Sequence, residues 1–134
     1  MHLLVNIDVE DLERAVAFYT KALDLQLERH LFHGSVAQLR GAGVPVYLMA
    51  KPAGSPTSLG ASTIRDYSRH WTPVHLDFQV DDVPAAVARA VAAGARLEGE
   101  VNTFDWGRLA TMSDPFGHGF CFIQFSDRGY DAAA

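Results

Sequence analysis

Residues Val74–Val80, VHLDFQV, place His75, Asp77 and Gln79 on one side of an alternation whose other side is wholly apolar. An imidazole can exchange a proton near neutral pH or ligate a metal. A carboxylate two residues away can hold it in one tautomer or raise its pKa. On a strand the two Cβ atoms lie about 7 Å apart, so a direct bond needs side-chain reach, and a shared water would serve as well. Cys121 is the single cysteine. Its thiol attacks or ligates only as the thiolate, and its simplest role is that of a small buried hydrophobe; as a nucleophile it would need a base such as His75 on a facing strand.

Trp106-Gly107-Arg108 offers a flat ring for stacking and a guanidinium for an anion. Equally, it reads as a tryptophan wedged at a sheet end beside a surface arginine. Tyr67, Arg69, His70 and Trp71 could close over a cleft or form a contact with a second protomer. His30 and His33 flank a hairpin turn with no further ligand nearby, which favours solvent exposure. His118 follows Gly117 in a turn, where histidine tolerates the left-handed region. No phosphate loop, nucleophile elbow or dinucleotide fingerprint occurs.

The elements that must position these groups repeat. Val9-Glu10-Asp11-Leu12 superposes on Val80-Asp81-Asp82-Val83 with an offset of 71, which also lays Val16 on Val87 and Leu4 on His75. In both copies an alternating strand runs into an acidic pair and then a helix. Leu12, Ala15, Val16, Tyr19, Ala22 and Leu23 recur at helical spacing, with Asp11 as N-cap. Asp82 caps the second helix, Pro84 sits in its first turn and Gly94 ends it.

Three strands follow each helix: Gln26 to Leu31, Ser35 to Leu39 and Val44 to Lys51, then Arg96 to Glu100, Arg108 to Ser113 and Gly119 to Phe125. Asp114-Pro115-Phe116-Gly117 suits a type I turn between the last two. Each half thus reads strand–helix–strand–strand–strand. The first module covers about 1–51 and the second about 74–126, with a tail at 127–134. Loops as long as 52–73 are functional or disordered in compact domains, and because its second half carries Tyr67, His70 and Trp71 the stretch reads as an ordered flap. Phe18, Phe78, Phe120, Phe122 and Phe125 fall on core sides, whereas Phe104 and Phe116 find no clear place.

A chain of 134 residues makes one domain with a full core. Its net charge of −5 argues against a nucleic acid or an anionic membrane surface as partner. Apolar runs are far shorter than a bilayer span, and Asp8, Glu10, Asp11 and Glu13 break any secretory pattern at the start. With a lone cysteine the expectation is a cytoplasmic protein that touches neither nucleic acid nor membrane.

With VEDLERAVAFYTKALDL near the start and DPFGHGFCFIQF near the end, the chain resembles the vicinal oxygen chelate superfamily of glyoxalases, bleomycin-resistance proteins and dioxygenases. The resemblance spans about His2 to Phe125. It implies an α+β fold in which two βαβββ modules form a curled mixed and antiparallel sheet around a cleft, assembled as a homodimer.

Metal-dependent members of such a superfamily bind the ion through four positions that fall here on Leu4, Tyr47, His75 and Cys121. Leu4 has no donor atom, Tyr47 is a poor ligand at neutral pH, and an open catalytic site needs three protein ligands. A set of His2, His75 and Cys121 is an alternative with the right softness for zinc, the plainer reading being that His2 is a frayed terminal residue. The expectation is no cofactor, with a divalent metal as the lesser possibility.

The pocket residues expected on this basis are Leu4, Tyr47, His75, Asp77, Trp106, Arg108 and Cys121, around a small aromatic or amphipathic molecule. An enzyme of the same superfamily, a lyase, isomerase or dioxygenase using His75 with a metal or as general base, is the competing reading, and an interaction module with a vestigial cleft is a third.

Overall fold

The computed structural model describes residues 1–71 and 74–134. The chain divides into two compact units, Met1–Ser68 and Arg69–Ala134. The boundary falls inside the connecting stretch read as a flap, so each unit keeps part of it. Its final residues, Thr72 and Pro73, lie outside the described residues.

In the first unit strand β1 (Val5–Val9) leads into helix α1 (Leu12–Ala22), and β2 (Gln26–Leu31), β3 (Val36–Arg40) and β4 (Val46–Ala50) follow. They form a four-stranded sheet in the order β1-β4-β3-β2, with β1 and β4 parallel and the other neighbours antiparallel. Alternation decides the faces. Ile7, Val9, Leu48, Ala37 and Leu39 are buried, as are Ala15, Phe18, Tyr19 and Ala22 of α1, and α1 packs on β4, β2 and β3. The opposite face carries Asn6, Asp8, Tyr47 and Gln38, set by the Asn6–Tyr47 and Gln38–Tyr47 register pairs.

The second unit repeats the plan: β5 (Leu76–Gln79), α2 (Val83–Ala92), β6 (Arg96–Leu97), β7 (Asn102–Phe104), β8 (Gly107–Ser113) and β9 (Gly119–Phe125). The order is β5-β9-β8-β6, again with the first pair parallel, and β7 adds to β8 outside this path. Phe120, Phe122, Ala110 and Met112 form a buried layer on the α2 side. Gln124 shares that side, since its Oε1 accepts from the Val83 backbone at 3.0 Å. Leu109, Thr111, Cys121, Ile123, Asp77 and Gln79 belong to the other face by register.

The helix starts are as expected. Asp11 accepts from the Arg14 amide and Asp82 from the Ala85 amide, each at 3.0 Å, satisfying amides that have no partner inside the helix. The strands differ from expectation at their ends. β5 is limited to four residues and β6 to two.

Strand β7 was not anticipated, since Asn102–Phe104 is short, exposed and without alternation. In the last turn the Asp114 carboxylate accepts from the Phe116 and His118 amides at 2.8 and 2.9 Å. The left-handed position there is Gly117, not His118; among the described histidines it is His33 that has a positive φ, at 55°. Phe116 is buried, while Phe104 is exposed. Among the described residues no helix is long and apolar enough to cross a membrane.

Candidate functional site

The parallel register of β5 and β9 sets Asp77 beside Cys121, and the antiparallel register of β9 and β8 sets Cys121 beside Thr111. Three strands thus bring a carboxylate, a thiol and a hydroxyl into one row on the face away from α2. His75, just ahead of β5, reaches the same row: its Nε2 lies 3.3 Å from Asp77 Oδ1. The contact is direct. One donor atom each from His75, Asp77 and Cys121 lies within 4.8 Å of the others.

Burial divides the trio. Cys121 is buried, whereas the side chains of His75 and Asp77 keep 38% and 37% of their surface open. The thiol is pushed up to about 12, first by burial, then by the Asp77 charge and by its own hydrogen bond to that carboxylate, while the Thr111 hydroxyl works the other way. Losing the proton would place a second anion next to Asp77 with little water to screen it. At neutral pH the cysteine is therefore a neutral donor and no nucleophile.

The His75 ring stacks on Trp71, with centroids 4.6 Å apart and planes 18° from parallel. Trp71 is fixed in turn by its own segment. The His70 amide donates to Gly117 O at 2.9 Å and the Gly119 amide donates to His70 O at 3.0 Å. Arg69 forms a fork with Glu98, its Nε and Nη2 each 2.5 Å from a carboxylate oxygen. That ion pair lowers the Glu98 pKa and raises that of Arg69. Arg69, His70 and Trp71 thus belong to the second unit, and Trp71 touches the trio through His75; sequence alone could nominate them but not their partners.

Other residues expected at the site stand elsewhere. Arg108 is the register partner of Gln124, which puts it on the α2 side of the sheet, opposite to Asp77 and Cys121. Period-two alternation makes that separation unavoidable. Trp106 lies in the turn between β7 and β8, stacked on Phe104 at 4.8 Å and tilted against Tyr130 at 5.4 Å. It is the wedge at a sheet end, joined by a tail that folds Tyr130 onto Phe125.

Leu4 and Tyr47 belong to the first unit, Leu4 exposed ahead of β1 and Tyr47 half-buried on β4. His2 is exposed at the start of the same unit. His30 and His33 are exposed too, as expected.

The four-position metal set implied by the resemblance does not fit these residues, because Leu4 supplies no donor atom. A different set, His75, Asp77 and Cys121, is gathered by the second unit alone.

Residues 4–123 match the family model described as a glyoxalase-like domain. The chain is 35% identical over 118 residues to uncharacterized proteins of Mycobacterium bovis and Mycobacterium tuberculosis, aligning 82% of its length with 74% and 66% of theirs. A glyoxalase-related enzyme from Fulvimarina pelagi superposes with a TM-score of 0.73 at 16% identity, covering 92% of this chain and 87% of that one. TnmS3, an antibiotic-binding protein from Streptomyces sp. CB03234, does so with a TM-score of 0.65 at 27% identity, covering 94% and 96%. Matched over nearly its whole length by that model, the chain belongs to the glyoxalase-like family and has the glyoxalase/bleomycin-resistance fold.

Proposed function

We propose that this protein binds a small, partly aromatic or amphipathic molecule at His75, Asp77 and Cys121, without a catalytic metal. The observation that carries the reading is the protonated, buried thiol beside an open His–Asp pair. Such a row offers an uncharged buried thiol with the polar His75 and Asp77 side chains open beside it, and a few placed polar groups are what orients a molecule in a small-molecule site. The likeness to an antibiotic-binding protein at 27% identity supports it.

Sequestration would suffice for function, with no bond made or broken. The protein would act in the cytoplasm as a homodimer, whose mass in solution should be twice the 14.6 kDa of the chain. The test is a thermal-shift screen of planar aromatic compounds against wild type and His75→Ala. A molecule present at a hundred times its Kd should add about 2.7 kcal/mol of stability to wild type. No compound raising the melting temperature, or equal shifts in both proteins, would contradict the reading.

A second reading is favoured by the spacing of the trio. A soft divalent ion such as zinc would be held by His75, Asp77 and Cys121, because a bound cation displaces a thiol proton that burial otherwise retains. It would supply Lewis acidity to a lyase, isomerase or dioxygenase. Metal content decides between the two readings.

A further inference from the structure

The segment Arg69–Trp71 holds a group of the site in place. We propose that Trp71 is a positioning residue for His75: its indole, laid across β9, fixes the imidazole so that Nε2 faces Asp77. The inference deepens the binding-site reading above and rests on it for the role of His75.

Several observations converge on it. The near-parallel stack of the two rings confines the imidazole to a plane, and its Nε2 then lies 3.3 Å from Asp77 Oδ1. Without such support a half-exposed histidine would sample several rotamers, at an entropic cost on each binding event. Position 119 is a glycine, and a Cβ there would run into the indole and the Arg69 guanidinium. The bare backbone of β9 is therefore the bed on which Trp71 lies.

Arg69 Cζ sits 5.3 Å from the Trp71 ring centroid, a cation–π contact held by the Glu98 fork. Backbone bonds on both sides of His70 tie the segment to the turn before β9. The same turn is braced by a 3.0 Å contact between His70 Nε2 and His118 Nδ1. Glu98, Arg69, Trp71, His75 and Asp77 thus form one chain of contacts.

An aromatic residue, a glycine far off in sequence and an arginine thereby act together, in a role separate from that of Asp77. Asp77 sets which nitrogen of His75 carries a proton, while Trp71 sets where the ring points.

The test needs no bound molecule. Long-range nitrogen–proton NMR spectra of the histidine rings would be recorded for wild type, Trp71→Ala, Trp71→Phe and Gly119→Ala. In wild type the His75 ring protons should be shifted upfield by the indole and one tautomer should predominate. In Trp71→Ala both signatures should fall to those of a free histidine. Trp71→Phe should keep the tautomer and part of the upfield shift.

Gly119→Ala should resemble Trp71→Ala, because the added methyl displaces the indole. Unchanged amide shifts in β8 would show that the sheet is intact in each variant. If Gly119→Ala does not fold, the contrast between Ala and Phe at position 71 still decides. Unmoved His75 signals in Trp71→Ala would overturn the proposal, even in a protein that binds its ligand. Failure of every compound in the thermal-shift screen would leave this result as it stands and bear on the binding reading alone.

Discussion

The two modules share a plan and differ in what their first strands present. Offset by 71 residues, Leu4, Asn6 and Asp8 correspond to His75, Asp77 and Gln79. Both strands pair in parallel with the last strand of their own sheet, and both lead into an Asp-capped helix. In the first module the carboxylate is neutralised: Arg65 Nε lies 2.6 Å from Asp8 Oδ2, and the same guanidinium also bonds to Pro56 O.

Burial of the neighbouring Tyr67, whose hydroxyl donates to Lys51 O at 2.7 Å, pushes its phenol pKa up, with Asp8 adding to the effect. In the second module the carboxylate meets an imidazole and a thiol instead. Duplicated scaffold and divergent chemistry coexist because alternation fixes which positions face away from the helix, whereas nothing in the fold fixes what stands there.

If the two cores are equivalent, fully buried Phe122 and Leu48 should both be costly to truncate. Phe122→Ala should lose about 3–5 kcal/mol and Leu48→Ala about 2–5 kcal/mol in urea unfolding. A far smaller loss in one module would show that it is the looser partner.

The two ion pairs of the connecting stretch should separate next. Arg65 and Asp8 side chains are 13% and 33% exposed, against 34% for both Arg69 and Glu98. Arg65→Met should therefore cost about 1.5–3 kcal/mol, as for a lost bond to a charged group. Arg69→Met should cost roughly 1 kcal/mol or less. Equal losses would refute the contrast. The caps should behave alike, with Asp11→Ala and Asp82→Ala each losing about 1 kcal/mol.

The last difference is invisible at neutral pH. Because the folded thiol is raised from 9.0 to about 12, the unfolded chain ionises first. Stability contributed by the protonated thiol is complete below pH 9 and should fall away between pH 9 and 12. Comparing wild type with Cys121→Ala across that window isolates the slope, and parallel curves would argue that the thiol is not held neutral. Alkylation of Cys121 by iodoacetamide at pH 8 should likewise be much slower than that of a free thiol.

Much of this was legible in the sequence, for reasons that can be named. Asp11 and Asp82 mark helix starts because a carboxylate can satisfy amides that the helix cannot. Gly119–Phe125 was bounded correctly because a turn precedes it and the run is continuously strand-forming. The repeat predicted strand–helix–strand–strand–strand in each half, and both halves follow that order, the second with β7 added.

Contacts set by long-range pairing were not legible. That Asp77 lies beside Cys121 depends on the register of β5 against β9. That Arg65 reaches Asp8 joins residues 57 apart. Arg108 shows the opposite failure: its chemistry suggested a ligand contact, but its parity on β8 turns it to the helix side. Trp71 stands out in the sequence only as an aromatic residue on a flap, because its stack on His75 depends on the segment lying over Gly119 of a distant strand.

If the trio of the second module receives an organic molecule and not a cation, elemental analysis of protein purified without chelator, run beside His75→Ala, should find zinc, nickel, iron and manganese far below one ion per chain in both proteins. One ion per chain in wild type, lost in His75→Ala, would contradict it.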